Sequence, residues 1–272
     1  MNTGFAAEID WSRPWLAPYA AMGQRVLQAA DWRAALNAEA EACGLCNHRR
    51  LPIRFVPQES LPAGTAYEAF ISATGGVPTR NNLHDFFNAL VWLTFPEVKV
   101  RLNALQAEAI ARTSESPSAV RIPHRGSLRD AATIFDENAA LLAVRDIEVL
   151  DALRMHRWSD VFIDQREAFK HGCEVWLFGH ALMEKLVRPY KAITAHTWPL
   201  VVDDEFFELG EANRRVFLSA AIDRQLANSL TTSDFTPLPV LGVPGWWEGQ
   251  DLKFYADVSV FRPKRQKEQG NR

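Results

Sequence analysis

Apolar positions recur at helical spacing through most of this chain, and the breaks between them fall at proline, glycine and capping residues. Asp31 is placed to cap a helix running through Trp32, Ala35, Leu36 and Glu39 to Cys43, with Gly44 just beyond it. A short extended segment follows, Ile53 to Val56, fenced by Pro52 and Pro57, then a brief helix around Tyr67, Phe70 and Ile71 that stops at Gly75-Gly76. Asn82 reads as the cap of a strongly apolar helix, Leu83 to Phe95, with Asp85 three residues on to satisfy free amides. Pro96 ends it and opens the next helix, marked by Val98, Leu102, Leu105 and Ile110. The polar stretch Thr113 to His124, with Pro117 and Pro123, predicts a surface loop. Further helices are expected over 128–144, 147–156, 160–170, 174–187 and 211–228. Pro237, Pro239, Gly242, Pro244 and Gly245 exclude regular helix after Thr236, and Leu252 to Phe261 suits a terminal strand or an extended clasp. The pattern predicts a mainly α protein: one helical domain over 1–262 with an irregular, partly extended C-terminal segment, and a disordered basic tail over 263–272.

Three of the expected helices depart from the usual amphipathic stripe. Leu83 to Phe95 is apolar except at His84, Asp85, Asn88 and Thr94. Ala131 to Val144 is interrupted only by Thr133, Asp136, Glu137 and Asn138, and Val175 to Val187 only by His180, Glu184 and Lys185. Helices apolar all round are normally buried, and a lone buried charge costs several kcal/mol unless it is paired or neutralised. The economical arrangement is one in which these groups meet. His84 and Asn88 share a helix face, as do His180 and Glu184, while Arg129 with Asp136 and Asp130 with Glu137 repeat at seven residues. His196 is a further candidate for the same interior.

Imidazoles and carboxylates facing each other across helices suit a divalent-metal site or an acid–base pocket. In that scheme His84, Asp85, Asp136 and His180 are metal ligands, and Glu184 or Glu137 is the general base on a metal-bound water. Arg80 or Arg129 would hold an anionic substrate group, with Asn88 beside them. The activity implied is a metal-assisted hydrolase. The alternative is a non-catalytic binding or assembly protein whose polar core is structural, with Arg129 and Lys185 neutralising Asp136 and Glu184.

Composition narrows the field from outside. Thirty Lys and Arg stand against 33 Asp and Glu, a net charge of −3 that gives no field-driven case for nucleic acid or a membrane surface. The N-terminus, with Glu8 and Asp10 and no apolar run, lacks the pattern of a signal or transit peptide. Three cysteines do not make a disulfide framework, so a reducing cytoplasm is expected. Cys43, Cys46 and His48 form half a zinc pattern that His171 and Cys173 complete only from far away in sequence; small buried thiols are the simpler reading. No GxSxG, HExxH or GxGxxG motif occurs. Arg80, after Gly75-Gly76 and Pro78, sits where a helix N-terminus can assist an anion clamp.

Several strings are distinctive as text. Val77 to Arg80 leading into Asn82-Leu83-His84-Asp85-Phe86-Phe87-Asn88, then Phe135 to Asn138, Gly179-His180-Ala181-Leu182 with Glu184-Lys185-Leu186, and Leu238 to Trp246 together resemble a bacterial family, domain of unknown function 3025. The likeness runs from about Phe55 to about Pro263 and implies one coherent domain, with no activity, ligand or residue role attached.

Overall fold

The computed structural model describes residues 4–115, 123–227 and 230–264. Two helices, α1 (Ala17–Leu27) and α2 (Trp32–Ala42), lead to strand β1 (Arg54–Pro57), helix α3 (Tyr67–Thr74) and strand β2 (Gly76–Thr79). Helices α4 (Leu83–Thr94), α5 (Pro96–Glu115) and α6 (Pro123–Asn138) follow, and α6 runs straight into strand β3 (Ala139–Val144). Next come α7 (Ile147–Arg154), α8 (Arg166–Gly172), strand β4 (Cys173–Leu177) and the short helix α9 (His180–Lys185). The chain ends with strand β5 (Thr194–Val201), α10 (Asp204–Glu208), α11 (Glu211–Leu226), strand β6 (Thr236–Pro239) and α12 (Leu252–Tyr255).

The expected mainly α class is therefore corrected to a mixed α/β fold: helix makes up 57% and strand 14%. Four strands form one sheet in the order β4-β3-β5-β6, and β1 and β2 pair separately in parallel. Two of the expected buried helices are helix–strand composites. Ala131 to Val144 is the end of α6 plus all of β3, and Val175 to Val187 divides into β4, a bend at Gly179 and α9. The reason is that Ala139 to Val144 is wholly buried, and a short run apolar on both faces satisfies a sandwiched strand as well as a helix.

Other boundaries shift too. Asp160–Asp164 is a π turn before α8, and α12 with following turns replaces the expected C-terminal strand or clasp. The expected loop over 113–124 shrinks from both sides, since α5 reaches Glu115 and α6 starts at Pro123; the stretch between lies outside the described residues. So does the tail from 265 onward. No helix among the described residues is long and apolar enough to cross a membrane.

The sheet lies between two packed clusters. Leu142 and Val144 of β3 enter one with Leu150, Phe162 and Phe261. Ala139, Leu141 and Ala143 face the other, where Phe86, Phe95, Trp176 and Phe178 pack. Helix α4 is buried along almost its whole length, and Asn82 caps it by accepting from the Asp85 amide at 2.8 Å.

Candidate functional site

β3 and β4 pair antiparallel, with Ala140 opposite Leu177. Continued past the strand ends, that register sets Ala139 against Phe178 and Glu137 against His180. The continuation is held by the Ala139 carbonyl, which accepts from the amides of both Phe178 (3.0 Å) and Gly179 (2.7 Å). Gly179 is required here because a Cβ would lie 2.5 Å from the backbone of Glu137 and Asn138. Tyr19 of α1 donates to the Leu177 carbonyl and fixes the end of β4. Helix α9 thus starts with His180 aimed across the sheet end toward α4, where His84 occupies the first turn.

His180 and His84 meet edge to face with their Nε2 atoms 3.0 Å apart. Glu137 Oε2 lies 3.4 Å from His180 Nε2, and Glu184 Oε2 lies 2.9 Å from His84 Nδ1. Asp136 Oδ2 lies 3.9 Å from His180 Nδ1, and that nitrogen is buried without a hydrogen-bond partner. His180 and Asp136 are buried, whereas the side chains of His84, Glu137 and Glu184 keep 28%, 33% and 43% exposure. The cluster has a dry floor and a face open to solvent.

Beneath it runs a second layer centred on Lys99 of α5, which is 4% exposed. Its Nζ donates to Asp136 Oδ1 (2.5 Å) and Asn88 Oδ1 (2.8 Å) and lies 5.2 Å from the Trp92 ring centroid. Asn88 in turn donates to the Tyr67 hydroxyl at 3.0 Å. Asn103, one turn along from Lys99, donates to Glu68 Oε2 at 2.5 Å.

The electrostatics follow from this layering. Burial pushes the His180 imidazole down to about 4, against the opposing pull of Asp136, so the ring is neutral at neutral pH, the form that ligates metals. Burial by itself would raise Asp136, but Lys99 and His180 outweigh it and hold the carboxyl below its ordinary value. Glu68 is pushed up to about 7, first by burial and then by the Asp136 charge. Glu137 is also raised, by burial and by Asp136.

The structure brings together His84, His180, Asp136, Glu137 and Glu184, with Asn88 one layer behind. It does not bring in the others. Asp85 is engaged by Arg80 through both guanidinium (2.9 and 3.0 Å) and backbone amide (2.6 Å), which occupies its carboxylate, while the Arg80 side chain stays more than half exposed. Arg129 is exposed, and Lys99 holds the place beside Asp136 that was expected for it. Lys185 donates to Asn138 (3.0 Å), while Glu184 turns to His84 instead. His196 is exposed on β5 and packs on Phe235. Lys99 and Glu68 were not anticipated. The available signal was the spacing of Val98, Lys99, Leu102 and Asn103, which places a lysine on the inward stripe of α5.

Among the described residues, His84, Glu137 and His180 are the group with metal-ligand spacing, each offering one ligand atom within 4.8 Å of the others. The cysteines are not part of it: Cys43 donates to the Ala40 carbonyl and His48 pairs with Ser72 at 2.8 Å. Such a set can hold a divalent ion and leave coordination positions toward solvent.

No curated protein and no solved structure matches the chain. A family model described as a protein of unknown function (DUF3025) matches residues 53–265, a span that contains His84, Lys99, Asp136, Glu137, His180 and Glu184. With most of its length and its entire polar cluster inside that match, the chain belongs to the DUF3025 family.

Proposed function

We propose that this protein is a metal-dependent hydrolase whose divalent ion is held by His84 Nε2, His180 Nε2 and a Glu137 carboxylate oxygen. The observation that carries this reading is the spacing of those atoms, 3.0 Å between the two nitrogens and 3.4 Å from His180 to Glu137. Ligands at about 2.1 Å from one ion, separated by angles between octahedral and tetrahedral, lie roughly 3.0–3.4 Å apart. Glu184 supports it from behind: its carboxylate accepts from His84 Nδ1 at 2.9 Å, which turns Nε2 toward the place an ion would take. In this assignment Glu137 becomes a ligand rather than a base. Asp85 and Asp136 are tied to cations instead of the metal.

His84, Glu137 and His180 would supply three ligands with a face open to solvent, and an ion held there would provide the Lewis acidity that hydrolysis needs. The anionic-substrate part of this reading rests on Arg80, whose guanidinium pairs with Asp85 yet stays 56% exposed, since Lys99 rather than Arg129 pairs with Asp136. A structural reading is favoured by one feature, the Lys99–Asp136 pair, which would neutralise a buried core whether or not an ion is bound.

Metal content separates the two. Wild-type protein purified without chelator and offered zinc, manganese, iron or magnesium is expected to retain about one equivalent of an ion, and His180→Ala none. At a hundredfold excess over Kd the ion adds about 2.7 kcal/mol to native stability, a rise in melting temperature of roughly 5–10 °C in wild type alone. No retained ion and no thermal shift in wild type would remove the metal reading.

A further inference from the structure

We propose that Asp136 is the positioning residue of His180: its carboxylate accepts a hydrogen bond from Nδ1–H, so that Nε2 turns its lone pair to the ion, and Lys99 holds Asp136 in place to do so. The inference rests on the metal reading above and asks what orients the second imidazole.

The two histidines differ in their support. His84 has Glu184 on Nδ1 at 2.9 Å. His180 has a buried Nδ1 without a partner, and the nearest carboxylate oxygen, Asp136 Oδ2, stands 3.9 Å away. Without an ion the short contact between the Nε2 atoms must be a hydrogen bond. One of the two rings supplies the proton of that bond, so its Nε2 carries hydrogen rather than a free lone pair. An ion held between the nitrogens would use the Nε2 lone pair of each ring; the neutral His180 ring would then carry its proton on Nδ1, and Asp136 Oδ2, 3.9 Å away, is the carboxylate oxygen that faces it.

Asp136 is suited to wait there because its other oxygen is committed. Lys99 grips Oδ1, and Lys99 is itself fixed by Asn88 and the Trp92 ring, which leaves Oδ2 on the side of His180.

The test uses the full chain with zinc. Histidine-labelled wild type loaded with zinc should show the His180 ring protonated at Nδ1, with a slowly exchanging proton, and His84 likewise through Glu184. Asp136→Asn would strand Lys99 and threatens the fold, so the informative protein is the double variant Lys99→Met/Asp136→Leu, which replaces the buried pair by apolar groups. It should fold, bind zinc about 10–100-fold more weakly and lose the protected His180 Nδ1 proton, while the His84 signals persist. Folded double variant with wild-type zinc affinity, or weaker affinity with the His180 proton unchanged, would overturn the role of Asp136 and leave the metal reading standing. Wild type that takes up no zinc would overturn both.

Discussion

Replacing Lys99 by methionine removes the cation from a carboxylate that is itself buried, and Asp136 must then lose its charge or draw in water. The single variant Lys99→Met is expected to lose about 3–5 kcal/mol, and the double variant Lys99→Met/Asp136→Leu markedly less, because a stranded charge costs more than an absent pair. Urea unfolding of the two proteins decides this; equal losses would mean that the pair is solvated. Glu68 and His180 oppose one another in their dependence on pH. His180 titrates near 4 in the folded chain against 6.5 in its ordinary state, so unfolding takes up a proton between those values and stability rises with pH across them. Glu68 titrates near 7 instead of 4.5, so unfolding releases a proton and stability falls with pH over that range. In metal-free protein the two slopes offset each other from about pH 4.5 to 6.5. Glu68→Gln should therefore gain stability with rising pH more steeply than wild type over that interval, as thermal melts would record; an unchanged slope would refute the raised Glu68 value. Much of this chemistry was legible in the sequence, since charges inside all-apolar segments announce burial and mutual contact. Which cation met which anion was not, because helical spacing relates residues within one segment and Lys99 reaches Asp136 from another.

At the level of elements, the turn between β4 and α9 depends on the absence of a side chain. Gly179→Ala would set a methyl group against the backbone of Glu137 and Asn138, and the strand pairing beside it allows little relief. A loss of roughly 1–3 kcal/mol is expected, together with weaker zinc binding, since the same displacement moves His180 away from His84. Chemical denaturation with a zinc titration checks both; normal stability with normal affinity would show that the turn yields freely. Asn82→Ala should cost about 1 kcal/mol by leaving the Asp85 amide uncapped. Asn82 and the helix behind it could be read directly, because cap, acidic third residue and apolar run agree. Asp85, however, reaches back to the Arg80 amide rather than to its own cap. The two helix–strand composites could not be read. Ala139 to Val144 has only one β-branched residue, and alanine and leucine favour the helix that precedes it.

Across the whole molecule, the decisive information is non-local. His196 lies opposite Ala139 in the parallel β3–β5 ladder, and the alternation of that strand turns its ring to solvent between the buried Ala195 and Thr197. No window of sequence around His196 contains that fact. The same holds for the polar cluster, whose two histidines are 96 residues apart and whose Glu137 closes the helix that leads into β3, while His180 opens the helix that follows β4. An unfolded chain therefore offers an ion no preassembled grip, and the grip exists only once β3 and β4 have paired in their native register. A slip of one residue would break the paired amides of Phe178 and Gly179 on the Ala139 carbonyl and shift His180 along the end of α6, where Glu137 lies. On the proposed metal reading, ion capture would follow that pairing rather than precede it. Added zinc should then leave the refolding rate almost untouched and slow unfolding in proportion to site occupancy, so that the ion acts as a latch on the finished structure rather than a seed for it.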